Sequence, residues 1–145
     1  MARPYDLPDV GVWLAFNVPE HPHHARARRY WSGEAATRVG FSRITALGFL
    51  RLSTDRTVMD GKPLTVPQAW EDYLEFRRLP EVVFVSEPEG CEAILARWAA
   101  AGAFTGRLWT DAYLAAFAIA GGARLVTFDR DFRRFVGLDL LLLEA

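Results

Sequence analysis

Short apolar runs, each followed within a few residues by a helix-start signal, constrain this chain more than any other feature. Val82-Val83-Phe84-Val85 is β-branched or aromatic throughout, and the runs at 124–128 and 138–143 are nearly as apolar. None alternates apolar with polar, as a strand with one wet face would, so these read as strands buried on both sides. Residues 5–7 and 36–41 read as two more strands. Helices are expected between them: 10–16 after Pro8-Asp9, 23–31, 44–52, and one running to about Leu79 from Thr65-Val66-Pro67-Gln68, a capping box with proline in the first turn. Ser86-Glu87-Pro88-Glu89 repeats that pattern and predicts a helix to about Ala101. Thr110 or Asp111 is expected to cap a helix over 112–120, ended by Gly121-Gly122, and 131–135 reads as a short helical turn. Strands alternating with helices predict a single α/β domain over residues 1–145, with a mainly parallel central sheet flanked by helices.

Size and charge narrow the function classes. A chain of 145 residues, 51% hydrophobic and 24% charged, can bury a core without staples and is neither disordered nor collagen-like. Cys91 is its only cysteine, so no internal disulfide forms and a reducing compartment is expected. No apolar run approaches the length of a membrane span, and Met1-Ala2-Arg3-Pro4-Tyr5-Asp6 lacks the apolar segment of a signal peptide, which predicts a cytoplasmic protein. A net charge of −1 gives no global attraction to nucleic acid, although all but one of the 17 basic residues are arginine.

In parallel sheets ligands gather beyond the carboxyl ends of the strands, and three carboxylates belong at that edge. Asp9 follows the first strand, Asp129 follows the strand at 124–128, and Asp111 opens the helix leading into it. Clustered aspartates repel and raise one another's pKa unless a cation sits among them. Oxygen ligands with little His or Cys nearby suit Mg²⁺ or Mn²⁺, which can activate a water and stabilise phosphoryl charge. Each aspartate taken alone is equally well a helix cap; the case for a site is that all three share one edge.

At this point the sequence resembles the PIN-domain ribonucleases, and among them the VapC-type toxins of bacterial toxin–antitoxin modules. The resemblance runs through Leu7-Pro8-Asp9-Val10-Gly11-Val12-Trp13-Leu14-Ala15, Ser42-Arg43-Ile44-Thr45-Ala46-Leu47-Gly48-Phe49-Leu50-Arg51, Thr110-Asp111-Ala112-Tyr113-Leu114-Ala115 and Leu125-Val126-Thr127-Phe128-Asp129-Arg130-Asp131-Phe132. It implies a metal-dependent endoribonuclease with Asp9, Asp111 and Asp129 as catalytic and metal-binding acids. It further implies a homodimer silenced by a cognate antitoxin and acting on RNA. Gly48 stands where many PIN domains carry Glu, which leaves Asp131 or water to complete the shell, and Gly11 stands where an Asn is usual.

Other residues carry weaker expectations. Thr45, Arg51 and Thr127 are candidate contacts to phosphate or RNA, with local backbone bonds or surface ion pairs as the plain alternative. His21, His23 and His24 read as structural, and Cys91 as a buried thiol. No P-loop, dinucleotide fingerprint or nucleophile elbow occurs, and Lys62 in its Gly-Lys-Pro loop does not match a phosphoreceiver lysine. The rival reading is a PIN-like module that binds RNA or a protein without cutting.

Overall fold

The computed structural model describes residues 4–144, so the expected domain of 1–145 is seen apart from 1–3 and 145. Its centre is a five-stranded sheet in the order β3-β2-β1-β4-β5. These are β1 (Asp6–Pro8), β2 (Val39–Phe41), β3 (Val82–Phe84), β4 (Arg124–Thr127) and β5 (Leu140–Leu142). Every neighbouring pair is parallel, with Leu7 opposite Leu125 and Val39 opposite Val82. The helices are α1 (Val10–Asn17), α2 (His24–Gly33), α3 (Arg43–Ser53), α4 (Val66–Arg78), α5 (Cys91–Ala100) and α6 (Trp109–Gly121).

Alternate strand residues explain the layers. Leu7 and Leu125 point to one side, where Ala112, Ala115 and Phe117 of α6 close over them together with Cys91 of α5. Val126 points to the other, against Val12 of α1 and Tyr30 of α2, while Val39 and Phe41 meet Trp13, Phe49 and Tyr73. Trp13 is fully buried and stacks on Phe41 with ring centres 3.7 Å apart. Transfer of these rings from water, together with the close ring geometry, is the main stabilisation of this face.

At the amino edge of the sheet a buried charge ties three elements together. Asp6 is fully buried and accepts from Arg124 Nε at 3.0 Å and Nη2 at 2.8 Å, from the Tyr30 hydroxyl at 2.6 Å and from the Ala36 amide at 3.0 Å. Because Ala36 turns its amide to Asp6, β2 begins only at Val39, later than the apolar pattern suggests.

Helix starts were legible in part. Thr65 and Gln68 form the expected reciprocal capping box, with Pro67 in the first turn. Ser86 does not open a helix: α5 starts at Cys91, capped by Gly90 in the left-handed region at φ 92°. The chain leaves β3 for the opposite face of the sheet there, and Glu87 instead accepts a hydrogen bond from the Tyr113 hydroxyl at 2.7 Å. Neither Thr110 nor Asp111 caps α6, which already begins at Trp109. Gly122, left-handed at φ 66°, ends that helix.

Candidate active site

The strand order reverses between β1 and β4, since the chain moves outward from β1 to β2 and β3 and then returns to place β4 on the other side. Beyond the carboxyl ends of such a pair the connections diverge and leave a crevice. Asp9 leaves β1 into that crevice, Asp129 leaves β4 into it, and α6 brings Asp111 to the same edge because it runs back toward the start of β4.

Each acid is held differently. Asp9 caps α1, with Oδ1 accepting from the Val12 amide at 3.2 Å. Its other oxygen, Oδ2, accepts a hydrogen bond from the Thr127 hydroxyl, and Thr127 Oγ1 in turn accepts the Asp129 amide at 2.9 Å. Thr127 is fully buried and thereby fixes the two acids relative to each other. Asp129 caps a short 3-10 turn, Arg130–Arg134, by accepting from the Asp131 amide at 2.9 Å. Asp111, in the first turn of α6, has no capping duty, and its carboxylate faces the positive end of the helix dipole.

The electrostatics join them. Burial pushes the Asp9 carboxyl up to about 6, against the lowering effect of the Thr127 and Val12 hydrogen bonds, and the charges of Asp111 and Asp129 raise it further. The Asp111 carboxyl is likewise raised, first by burial and then by Asp129 and Asp131, while Arg107 and Arg134 oppose the shift. Among the described residues no group of three or more His, Cys, Asp or Glu side chains is arranged closely enough to hold a metal ion. The chemistry of the acids, as distinct from their spacing, suits a hard divalent cation: the candidate donors are carboxylate oxygens, each oxygen of Asp9 keeps a lone pair beyond its one bond, and a cation would relieve their mutual repulsion. Gly11 adds no side chain to the cluster; a Cβ there would lie 3.5 Å from Asp9 Oδ1.

The remaining expected residues lie in other roles. Thr45 is buried in a second capping box with Ser42, accepting the Ser42 amide at 2.9 Å and donating to the Ser42 carbonyl at 3.1 Å. Arg51 is exposed in the last turn of α3, which starts at the carboxyl edge and has run toward the opposite edge by that point. His21 accepts from the His23 amide, His24 donates to the Ala15 carbonyl at 2.7 Å, and the His23 ring stacks on Phe128 at 4.3 Å. Burial and the nearby Glu87 and Glu92 push the buried Cys91 thiol up to about 11, so it is not a nucleophile. Gly48 is where α1 and α3 touch: a Cβ there would come within 2.6 Å of Val10 Cγ2. A cavity of about 520 Å³ lies away from the acids, between α1, α2 and α4, over Phe16, Trp31, Phe76 and Leu79. Sequence reasoning missed Arg107, whose effect on Asp111 depends on the short 3-10 turn Gly106–Leu108 that precedes α6.

A five-stranded parallel sheet with an acidic crevice at its switch point defines the class, and comparisons give it a family. The family model described as PIN domain matches residues 7–138. The chain is 40% identical over 143 residues to ribonuclease VapC41 of Mycobacterium tuberculosis, covering 94% of this chain and 97% of that one. In structure it resembles Mycobacterium tuberculosis VapC20, a sarcin-ricin loop cleaving toxin, with TM-score 0.67 at 18% identity, covering 91% of this chain and 97% of that one. It also resembles VapBC2 from Rickettsia felis, solved bound to a DNA fragment from their promoter, with TM-score 0.63 at 14% identity over 95% and 98% of the two chains. The chain belongs to the PIN-domain family, in its branch of VapC-type ribonuclease toxins. Among the described residues no helix is long and apolar enough to cross a membrane.

Proposed function

We propose that this protein is a divalent-metal-dependent endoribonuclease, using Mg²⁺ or Mn²⁺, and the toxin of a type II toxin–antitoxin module. The observation that carries this reading is the switch point of the sheet, where Thr127 links Asp9 to the Asp129 amide and α6 begins with Asp111 in its first turn. Asp9 and Asp111 would hold the ion, Asp129 would support it, and Asp131 would be an auxiliary acid. When bound, such a cation supplies positive charge against the phosphoryl oxygens and makes water an effective nucleophile near neutral pH.

The chain's own contribution is orientation and charge. Thr127 holds Asp9 and the Asp129 backbone in one arrangement, so little reorganisation accompanies binding. Arg107 and Arg134 offset part of the acidic field that an incoming phosphate would meet. The buried thiol and the structurally engaged histidines offer no alternative base.

The relatives named above support an RNA substrate and a cognate antitoxin as partner, and the protein is proposed to act as a homodimer. An arginine or lysine from the antitoxin, entering the acidic crevice, would neutralise the aspartates in place of the metal. The test is purified protein with total RNA in Mg²⁺, Mn²⁺ or EDTA, beside Asp111→Asn. Cleavage confined to the metal-containing parent supports the reading. Cleavage in EDTA, or equal cleavage by Asp111→Asn, overturns the metal mechanism; divalent-metal binding without any cleavage leaves the non-cutting module.

A further inference from the structure

Like charges gathered on one spot without a counter-charge repel one another until an ion of opposite sign arrives. One such spot lies at the edge of the sheet. β3 is an edge strand, and the ring of its last residue, Phe84, is half-buried. The Arg43 guanidinium carbon lies 4.5 Å from the centre of that ring, and the Arg77 carbon lies 5.0 Å from the same centre. The negative face of a phenyl ring attracts each cation and holds its long side chain in place. Arg77 is fixed a second time, because its Nη1 donates to the hydroxyl of buried Tyr73 at 2.7 Å.

Neither arginine has an acid of its own. Both are exposed, among the described residues neither makes an ion pair, and Arg43 makes no hydrogen bond. A contact over a ring face satisfies charge and leaves the planar N–H fork of Arg43 for an acceptor with two oxygens, such as phosphate.

The place on the sheet decides which phosphate the pair would meet. Arg43 is the first residue of α3, which follows β2 directly through its cap Ser42. Phe84 lies in register with Phe41, the last residue of β2. The pair therefore stands at the carboxyl edge, the edge from which Asp9 leaves β1, and β3 is two strands away from β1. At the usual strand spacing that separation is roughly 10 Å. A nucleic acid strand carries a charge at every nucleotide, so one with its scissile phosphate at the acids has further phosphates within that distance. We propose that Arg43 and Arg77, held on Phe84, clamp a backbone phosphate of the RNA on the β3 side of the acidic crevice. This subsite rests on the ribonuclease reading and gives the bound strand a direction, across β2 toward β3. The arginines bind and position; they take no part in proton transfer.

The test reads the clamp apart from the ribonuclease reading. Binding of a labelled RNA oligonucleotide to the full chain is measured in EDTA by fluorescence anisotropy over a salt series, with a thermal melt of each variant. Arg43→Ala and Arg77→Ala should each reduce the slope of log affinity against log salt by roughly 0.7, the share of one single-strand phosphate contact. Phe84→Leu keeps both charges and an apolar side chain, so it should weaken binding by about three-fold at the parent's slope. Arg97→Ala, at an exposed arginine of α5 across the sheet, should bind like the parent. Parent-like affinity and slope in folded Arg43→Ala and Arg77→Ala, an equal loss in Arg97→Ala, or loss of self-association with RNA binding intact would overturn the clamp even if the parent cleaves RNA. The expected losses in a parent that never cleaves RNA in Mg²⁺ or Mn²⁺ would uphold the clamp as an RNA contact and overturn the ribonuclease reading instead.

Discussion

Thr127, the last residue of β4, donates its buried hydroxyl to Asp9, which lies 118 positions earlier in the chain and just beyond β1. The same oxygen accepts the Asp129 amide, so one side chain sets the spacing of two acids on neighbouring strands. Thr127→Val keeps the shape and removes the donor. Divalent-metal affinity should fall by about ten-fold or more, the usual effect of losing a partner that orients a ligand. Thr127→Ser should retain most of it; calorimetric Mn²⁺ titration of both variants measures the difference.

The raised Asp9 pKa predicts opposite pH trends for metal binding and for stability. Protons compete with the cation, so metal affinity should climb as pH rises through about 6. In the metal-free protein the folded state binds the Asp9 proton more tightly than the unfolded chain, whose Asp titrates near ~3.9. That contribution to stability is fully present below the unfolded value and is lost as pH rises through about 6. Asp111 shifts in the same direction. Melts in EDTA should thus show Asp9→Asn gaining on the parent at pH 7.5 relative to pH 5; a difference independent of pH would contradict this assignment.

Asp6 tests the scaffold separately from the site. Its carboxylate is fully buried on Arg124, Tyr30 and Ala36, at the edge of the sheet away from the acids. Asp6→Ala leaves Arg124 without its charged partner and should cost about 3–5 kcal/mol in denaturant unfolding. Tyr30→Phe removes one hydrogen bond to a charged group and should cost about 1.5–3 kcal/mol. Metal affinity of the folded fraction should be unchanged in both.

The contact between α1 and α3 allows a coupled test. Because a Cβ at Gly48 would meet Val10 Cγ2 at 2.6 Å, Gly48→Ala should destabilise by about 1–3 kcal/mol. Val10→Ala opens that space, so the double variant should recover part of the loss in a mutant cycle. Additive losses would show that the two positions do not compete for one space. Any side chain at position 48 would therefore have to displace Val10.

How much of this was legible in the sequence depends on the range of the interactions involved. The strands at β3 and β4 and the capping box at Thr65 are local or compositional signals, and they survive folding within a residue or two. The parallel order followed from alternation of elements, but the reversal between β1 and β4 is a property of the assembled sheet. Ser86 failed as a helix start because the chain must first cross to the other face, a demand met by Gly90 rather than by a side-chain cap. Thr127 was a candidate for phosphate or RNA contact; its bond to Asp9 is a pairing across strands that spacing alone does not reveal. Arg107 carries no motif, and its effect on Asp111 depends on the 3-10 turn before α6.

The central claim, that Asp9, Asp111 and Asp129 together form a divalent-metal site, is tested most directly by Mn²⁺ binding to the parent and to the three single Asn variants. Calorimetry at pH 7.5, with a melt of each protein, separates lost ligation from lost folding. Asp111→Asn removes a charge from a residue that caps nothing, so it should fold like the parent while binding Mn²⁺ at least ten-fold more weakly, with comparable losses for Asp9→Asn and Asp129→Asn. Parent-like Mn²⁺ affinity in folded Asp111→Asn and Asp9→Asn would contradict the account.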